Sequence, residues 1–516
     1  MINDAIKESI LIIDFGSQYS QLIARYVREL KVYCEIITHK SSWQSVEKLN
    51  PRGIILSGGP ASVYEEDAPK IPQWVFEKDI PVLGICYGLQ ILVHQLGGVV
   101  GPSDKREYGH AILNQITDHS IFKDVPETLN VWMSHGDNVM KLPPEFNAIA
   151  STENSPTSVI AKEDKFIGVQ FHPEVAHTEY GKTIIDNFIH GICGCGSLWT
   201  PANFIEDTIK RLKNQIGSGK VICGLSGGVD STVAAALVHR AVGDQLTCIF
   251  VDNGLMRLEE PERIKDTCTK YLKINLKYVD AADQFLSALE NIVDPEEKRK
   301  IIGKEFIDVF EKTSLDLGQV DFLAQGTVYP DVIESQTEES GTSAKIKTHH
   351  NVGGLPEKMK MELVEPLRYL FKDEVREVGL ALGLPDVMVF RQPFPGPGLA
   401  IRIIGEVTRG KLDILRQVEW IIMDEVKDNN LYRELWQSFA VLTGTKSVGV
   451  VGDHRTYGYV VAVRAVTSNE AMTADWARIP YDILANISNR IANEVDGVNR
   501  IVYDITSKPP GTIEWE

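Results

Sequence analysis

Twice along this chain, short runs of β-branched and aromatic residues alternate with stretches of helical periodicity, and each alternation ends at a break rich in glycine or proline. Such alternation specifies layered α/β units, because parallel strands need long crossovers and the crossover helices cover the sheet. The first series has β-rich runs at 10–14, 32–37, 53–56 and 82–85, with a helical stretch at 18–30, and stops at Gly191-Ile-Cys-Gly-Cys-Gly196. The second has runs at 221–225, 247–252, 276–280 and 322–325 and is closed by Pro393-Phe-Pro-Gly-Pro-Gly398. Helical patterns at 408–428 and 476–495 then flank 438–466, where the turn Gly452-Asp453-His454-Arg455 predicts a strand hairpin. The expected fold class is α/β: two doubly wound α/β domains, residues 8–196 and 197–391, followed by a smaller α+β C-terminal domain, 392–516. A length of 516 residues suits about three or four domains. Ser-Gly-Gly occurs at Ser57–Gly59 and at Ser226–Gly228, but the residues after it differ and there is no internal repeat.

Composition narrows the classes of function. A net charge of −18 leaves no basic footprint for nucleic acid, so anionic ligands must be held by loop amides, a metal ion and a few placed cations. No run approaches the ~18 apolar residues of a membrane span. The Met1-Ile2-Asn3-Asp4 start lacks a basic, then apolar, leader pattern, so a cytoplasmic protein is expected. The cysteines at 34, 86, 193, 195, 223, 248 and 268 have neither CxxC spacing nor the density of a disulfide framework and read as reduced thiols, with Cys193 and Cys195 in a linker.

Gly84-Ile85-Cys86-Tyr87-Gly88 follows an apolar strand and leads into a helix at 89–96, the context of a nucleophile elbow. A thiol at the head of a helix is exposed and acidified by the helix dipole, while the Tyr87 amide points where an oxyanion would form. Taken alone, GxCxG fits a buried structural cysteine equally well. Val169-Gln170-Phe171-His172-Pro173-Glu174 ends a strand with His and Glu at i, i+2, on one side of the extended chain, so that Glu174 is able to orient His172 as the base for Cys86. Leu56-Ser57-Gly58-Gly59-Pro60 is a second glycine-rich strand exit able to supply the other oxyanion amide.

Residues of about 8–195 therefore resemble the class I glutamine amidotransferases. The resemblance implies that Cys86 forms a glutamyl thioester with His172 and Glu174 completing the triad. It further implies that Gly59 and Tyr87 line the oxyanion hole and that Gln90 and Ser134-His135-Gly136-Asp137 seat glutamine.

Ser226-Gly227-Gly228-Val229-Asp230-Ser231-Thr232 joins a strand to a helix start, so loop amides and the positive helix end converge on one point. A structural turn would not need the hydroxyls or Asp230, and the lysine of the ordinary nucleoside-triphosphatase loop is missing. The pattern resembles the pyrophosphate loop of N-type ATP pyrophosphatases, which implies ATP and Mg²⁺, with Asp230 as the loop's acidic residue. Asp252, at a strand's C-terminal end, reads as either a ligand residue or a turn cap.

Three further segments resemble the GMP synthetase family, and with them the resemblance spans essentially the whole chain. Asp331 and Glu334, at i, i+3, are implied to join Asp230 in a Mg²⁺ role. The basic, glycine-flanked 344–354 segment is implied to be a lid whose Lys347, His349 and His350 neutralise phosphate charge. The tail Thr506–Glu516 is implied to bind the acceptor, xanthosine monophosphate, through Lys508, Ile513 and Glu514, assisted by Asp453 and Arg455. The implied activity is ATP-dependent amination of that nucleotide to GMP with ammonia from glutamine, through an adenylylated intermediate, in a homodimer that contacts neither nucleic acid nor membrane. Another glutamine-dependent ATP pyrophosphatase and a catalytically dead nucleotide-binding regulator are the alternatives. A lid predicts that trypsin cuts at Lys345 or Lys347 in the free protein and is blocked once ATP and acceptor are bound; equal cleavage in both states would mark a passive loop.

Overall fold

The computed structural model describes residues 8–333, 361–451, 454–468 and 473–516, apart from the side chains of residues 104, 105 and 451. Glu334, Lys347, His349, His350 and Asp453 lie outside the described residues. The chain divides into two compact units, Met1–Asp207 and Thr208–Glu516, the division falling inside the helix Pro201–Ile216.

The first unit is built on a nine-stranded sheet. Its strands are β1 (Ser9–Asp14), β2 (Tyr33–Thr38), β3 (Pro51–Leu56), β4 (Val82–Ile85), β5 (Val99–Gln115), β6 (Thr128–Lys141), β7 (Asn147–Ser151), β8 (Val159–Lys162) and β9 (Phe166–Val169). Their order is β2-β1-β3-β4-β9-β8-β7-β5-β6, parallel from β2 through β9 and antiparallel beyond. Ile10 to Ile13 are wholly buried because helices cover both faces of the parallel part, and an apolar run without alternation is what such a strand requires. Cys193 and Cys195 are not linker thiols. Both are buried in this unit, Cys193 against Gly53 of β3, and burial pushes their pKa values up, that of Cys195 to about 12.

The second unit holds β10 (Val221–Leu225), β11 (Leu246–Asp252), β12 (Asn275–Asp280), β13 (Phe322–Ala324) and β14 (Glu362–Val364), paired in the order β12-β11-β10-β13-β14 and parallel throughout. A second sheet follows, in which β15 (Gln437–Val451) and β16 (His454–Thr467) form the expected antiparallel hairpin, β17 (Asp475–Trp476) pairs with the far end of β16, and β18 (Val498–Tyr503) lies parallel to β16. The helix expected at 476–495 starts only at Tyr481, because Asp475 and Trp476 are taken up by β16 and Pro480 precedes the helix. The helix Arg409–Asp428 is capped by Thr408, whose hydroxyl accepts from the Lys411 amide. One apolar cluster contains Ile222, Phe285 and Leu323 together with Leu412, Ile421 and Ile487, so the two sheets of this unit share a core across Pro393–Gly398.

Charge is buried beside that core. Arg402 has no exposure, yet it donates to Glu419 and, at 3.0 and 2.9 Å, to both carboxylate oxygens of Glu514; Glu419 also accepts from Arg257 at 3.0 Å. Lys298, equally buried, donates to the carbonyls of Ala400 and Ile403 and to Glu516. Arg464 holds the carbonyls of Thr506, Thr512 and Ile513. The tail is thus folded back by three buried cations. No helix among the described residues is long and apolar enough to cross a membrane. Arg402→Met removes the buried cation shared by Glu419 and Glu514 and is expected to destabilise this unit by about 3–5 kcal/mol, read as a fall in its denaturant midpoint; an unchanged midpoint would contradict the structural role.

Candidate active sites

In the first unit the chain leaves β4 and turns at Cys86, with φ 51° and ψ −107°, into the helix Tyr87–Gln95. A positive φ at a residue with a side chain is strained, by roughly 1–3 kcal/mol, and is kept only where the surroundings enforce it. They do so here through close packing. A Cβ on Gly84 would lie 2.7 Å from the Gly88 and Leu89 backbone, and one on Gly88 would lie 2.4 Å from the carbonyl oxygen of Leu56. The Cys86 amide donates to the Val169 carbonyl at 2.8 Å, which ties the elbow to β9, the strand that leads to the histidine.

His172 and Glu174 leave the end of β9 on the same side, as the i, i+2 spacing requires, and lie 2.7 Å apart from Nδ1 to Oε1, both buried. Burial pulls the His172 pKa down, but hydrogen bonds to Cys86 and Glu174 outweigh it and lift the value to about 10. Glu174 thereby holds a protonated imidazole against the thiol. Its second oxygen has no partner among the described residues. Gly58 presses on the same spot: a Cβ there would come 3.3 Å from His172 Cε1 and 3.9 Å from Cys86 Cβ. Gly59 packs on Phe15 and Tyr87, so the strand exit at Ser57–Gly59 and the elbow are neighbours.

The residues expected to seat glutamine divide. The Ser134 carbonyl accepts from Cys86 Sγ at 3.8 Å and so borders the thiol, while Gln90 donates to the Asp137 carbonyl at 3.0 Å and to Gln170 at 3.4 Å. His135 turns away: its ring bridges the Asp137 carbonyl and the buried Glu107 carboxylate, each at 3.1 Å, which makes it a brace of the β5–β6 pair. The Asp137 carboxylate accepts from Ser62 and Tyr64 at 2.7 and 3.0 Å and so anchors the loop after Gly59. Gln170, whose Nε2 donates to Cys86 Sγ at 3.8 Å, joins the site without having been singled out. Its place two residues before His172, in strand alternation, is the signal that marks it.

In the second unit Ser226–Gly228 links β10 to the helix Val229–Val242. Gly227 takes φ 75°, and the loop is bound by its own hydroxyls: Ser226 Oγ and Ser231 Oγ are 3.2 Å apart, and Thr232 donates to the Gly228 carbonyl at 2.8 Å. Beside it lies a cavity of 710 Å³ lined by Ser226, Gly228, Asp230, Lys372, Arg376 and Arg391 at its polar end. Phe250, Ile302, Phe306 and Phe394 line the apolar part. Burial raises the pKa of Asp230, Asp331 raises it further, and Lys372 and Arg376 oppose the rise. Asp331 therefore lies near Asp230, although an Asp331 oxygen also accepts from the Val328 amide at 3.1 Å. Asp252 caps its turn, one oxygen accepting from the Gly254 amide at 3.0 Å, while the other accepts from Tyr278 at 2.6 Å. The cavity's cations escaped the sequence reading because they stand on helices and loops far apart in the chain.

In the tail, Ile513 packs against the cluster of Phe439, Val441 and Ala462, and the Lys508 backbone pairs with Ala474. Both oxygens of Glu514 accept from within the unit, from Arg402 and Gln437. Arg455 is exposed at the start of β16.

Three segments of the chain match models of known families. Residues 11–192 match the family model for glutamine amidotransferase class-I, 202–305 that for NAD synthase, and 424–515 that for the GMP synthase C-terminal domain. The chain is 60% identical to the glutamine-hydrolysing GMP synthase of Dehalococcoides mccartyi strain CBDB1, covering 99% of this chain and 96% of that one. It is 58% identical to the enzyme so named from Heliobacterium modesticaldum, covering 99% of both chains. For that of Thermomicrobium roseum the identity is 56%, over 99% of this chain and 97% of the other. At this identity over the full length, the chain belongs to the family of glutamine-hydrolysing GMP synthases.

Proposed function

We propose that the chain aminates xanthosine monophosphate to GMP, with ammonia drawn from glutamine and ATP cleaved to AMP and pyrophosphate. The observation that carries this reading is the pairing, in one chain, of a thiol elbow backed by His172 and Glu174 with a Ser/Gly anion loop opening on a cationic cavity. The Cys86 thiolate attacks the glutamine amide carbon, and the Gly59 and Tyr87 amides receive the oxyanion. His172 gives its proton to the departing ammonia and takes one from the water that frees glutamate. At the second site the Ser226–Thr232 loop, with Lys372 and Arg376 of the cavity, holds the ATP phosphates while the acceptor oxygen attacks the α phosphorus, releasing pyrophosphate. Ammonia then displaces AMP from the adenylylated base. The neighbouring Asp230 and Asp331 carboxylates fit Mg²⁺, since the Asp331 charge raises the cost of ionising Asp230 and a cation would offset it. Bound there, the ion would neutralise charge on the phosphate oxygens. Val448, Val450 and Tyr457 leave apolar surface exposed on the β15–β16 hairpin, which supports a homodimer contact through this sheet.

Cys86→Ala removes the only atom able to carry the glutamyl thioester and leaves the other unit unchanged. Glutamine-dependent GMP formation is expected to fall to background, while concentrated ammonium salt at mildly alkaline pH restores it with ATP cleaved to AMP and pyrophosphate. A folded variant that makes no GMP from ammonia would refute the assignment of two separate sites.

The raised His172 pKa gives a pH signature. The imidazolium and its contact with Cys86 persist through neutral pH; the stability they add is complete below the unfolded value of 6.5 and is lost as pH rises through about 10. The alkaline limb of glutamine hydrolysis should therefore lie near 10 and move down in Glu174→Gln, which removes one of the groups that raise it. A limb that stays in place in the variant would show that Glu174 does not govern the imidazole.

A further inference from the structure

Arg391 stands at the junction of the phosphate loop, the helix Glu260–Asp266 and the Pro393–Gly398 segment, and no reading of the motifs gives it a task. It is nine-tenths buried. One guanidinium nitrogen, Nη1, donates to the Gly227 carbonyl, and the other, Nη2, to the buried carboxylate of Glu260. The loop is seated hard on this platform: a Cβ on Gly227 would lie 2.4 Å from Ile264 Cδ1 and 3.2 Å from Arg391 Nη1. The Phe394 ring centre lies 5.8 Å from the guanidinium, and the ring is itself bordered by Arg257 and Arg402 at 4.6 and 5.3 Å.

The Gly227–Gly228 peptide converts this contact into an effect on the ligand. In a trans peptide the carbonyl and the following N–H point in opposite directions. With its carbonyl tied to Arg391, the peptide turns the Gly228 amide the other way, where it donates to Ser226 Oγ at 3.3 Å on the wall of the cavity. That is the side from which an incoming phosphate oxygen would take the proton donor. A loop whose glycine carbonyl were loose would sample the flipped peptide, presenting an oxygen instead of an N–H to an anion.

We propose that Arg391 is a positioning residue for the phosphate loop: held by Glu260, it fixes the Gly227 carbonyl so that the Gly228 amide faces the nucleotide. The inference rests on the reading of Ser226–Thr232 as the ATP site, and the test separates the two. With ammonia as nitrogen source, Arg391→Lys, which keeps the charge but cannot span both partners, is expected to raise KM for ATP by about tenfold or more. KM for xanthosine monophosphate and the rate of glutamine hydrolysis stay within about twofold, which a general loss of structure would not allow. Glu260→Gln raises KM for ATP in the same direction and adds nothing in the Arg391→Lys background, because both act through one carbonyl. Additive effects would mean that Arg391 meets the phosphate directly and would overturn the proposal, as would a folded Arg391→Lys protein with the parent KM. Gly227→Val is the control, since it drives the loop off Ile264 whatever Arg391 does. If that variant also leaves ATP use intact, the phosphate-loop reading itself is wrong; if it alone abolishes ATP use, only the role of Arg391 falls.

Discussion

A guanidinium with no access to water must be surrounded by carboxylates or carbonyls, and in the second unit this requirement organises the structure. Arg402, wholly buried, gathers Glu419 from one helix and Glu514 from the tail; Arg464 collects three tail carbonyls; Lys298 takes Glu516. A buried pair adds little net stability compared with an apolar replacement, but breaking one partner is costly. The arrangement therefore acts as a specification: a tail of Pro, Ile and Trp with little core of its own adopts one path because every other path strands a charge.

The same requirement explains why the Pro393–Gly398 segment is no domain boundary in the packing. Proline and glycine punctuate the sequence there, but Phe394 is a ring placed among Arg257, Arg391 and Arg402, and the backbone on either side lines the cavity. The apolar cluster continues past it on both sides. Punctuation in the chain marks where the backbone turns sharply; whether a core ends there depends on what the side chains bury, which residues such as Leu412 and Ile487 decide from a distance.

Much of the geometry of both candidate sites was legible because it is local. The elbow at Cys86, the His172–Glu174 alternation and the Ser226–Thr232 loop are each set by fewer than a dozen consecutive residues, and periodicity places them on the right elements. Residues assigned by proximity in sequence fared differently. His135 sits next to Ser134 yet serves Glu107, and Asp252 stands at a strand end yet caps its own turn. A polar side chain near a site satisfies whichever partner the fold brings closest, and those partners lie 28 residues away for His135 and 26 for one contact of Asp252. The cations of the cavity were hidden for the same reason: Lys372 and Arg391 reach the loop only once β13, β14 and their connections are folded.

The two sites use one backbone device to opposite ends. Each places a residue of positive φ between a buried parallel strand and a helix start, so that the chain reverses and the amides at the helix head point outward. At an anion loop the amides themselves are the site, so the turn residue needs no side chain and glycine takes φ 75° without strain. At the elbow the proposed reagent is the side chain, so Cys86 bears φ 51° with a Cβ in place. That difference dictates the surroundings. Around Gly227 a single tether, Arg391, is enough to choose between orientations of an unstrained peptide. Around Cys86 the strain has to be resisted at every step, by Gly84 and Gly88 packed to backbone contact and by the hydrogen bond to Val169, because any slack would let the turn relax and carry the sulfur away from His172.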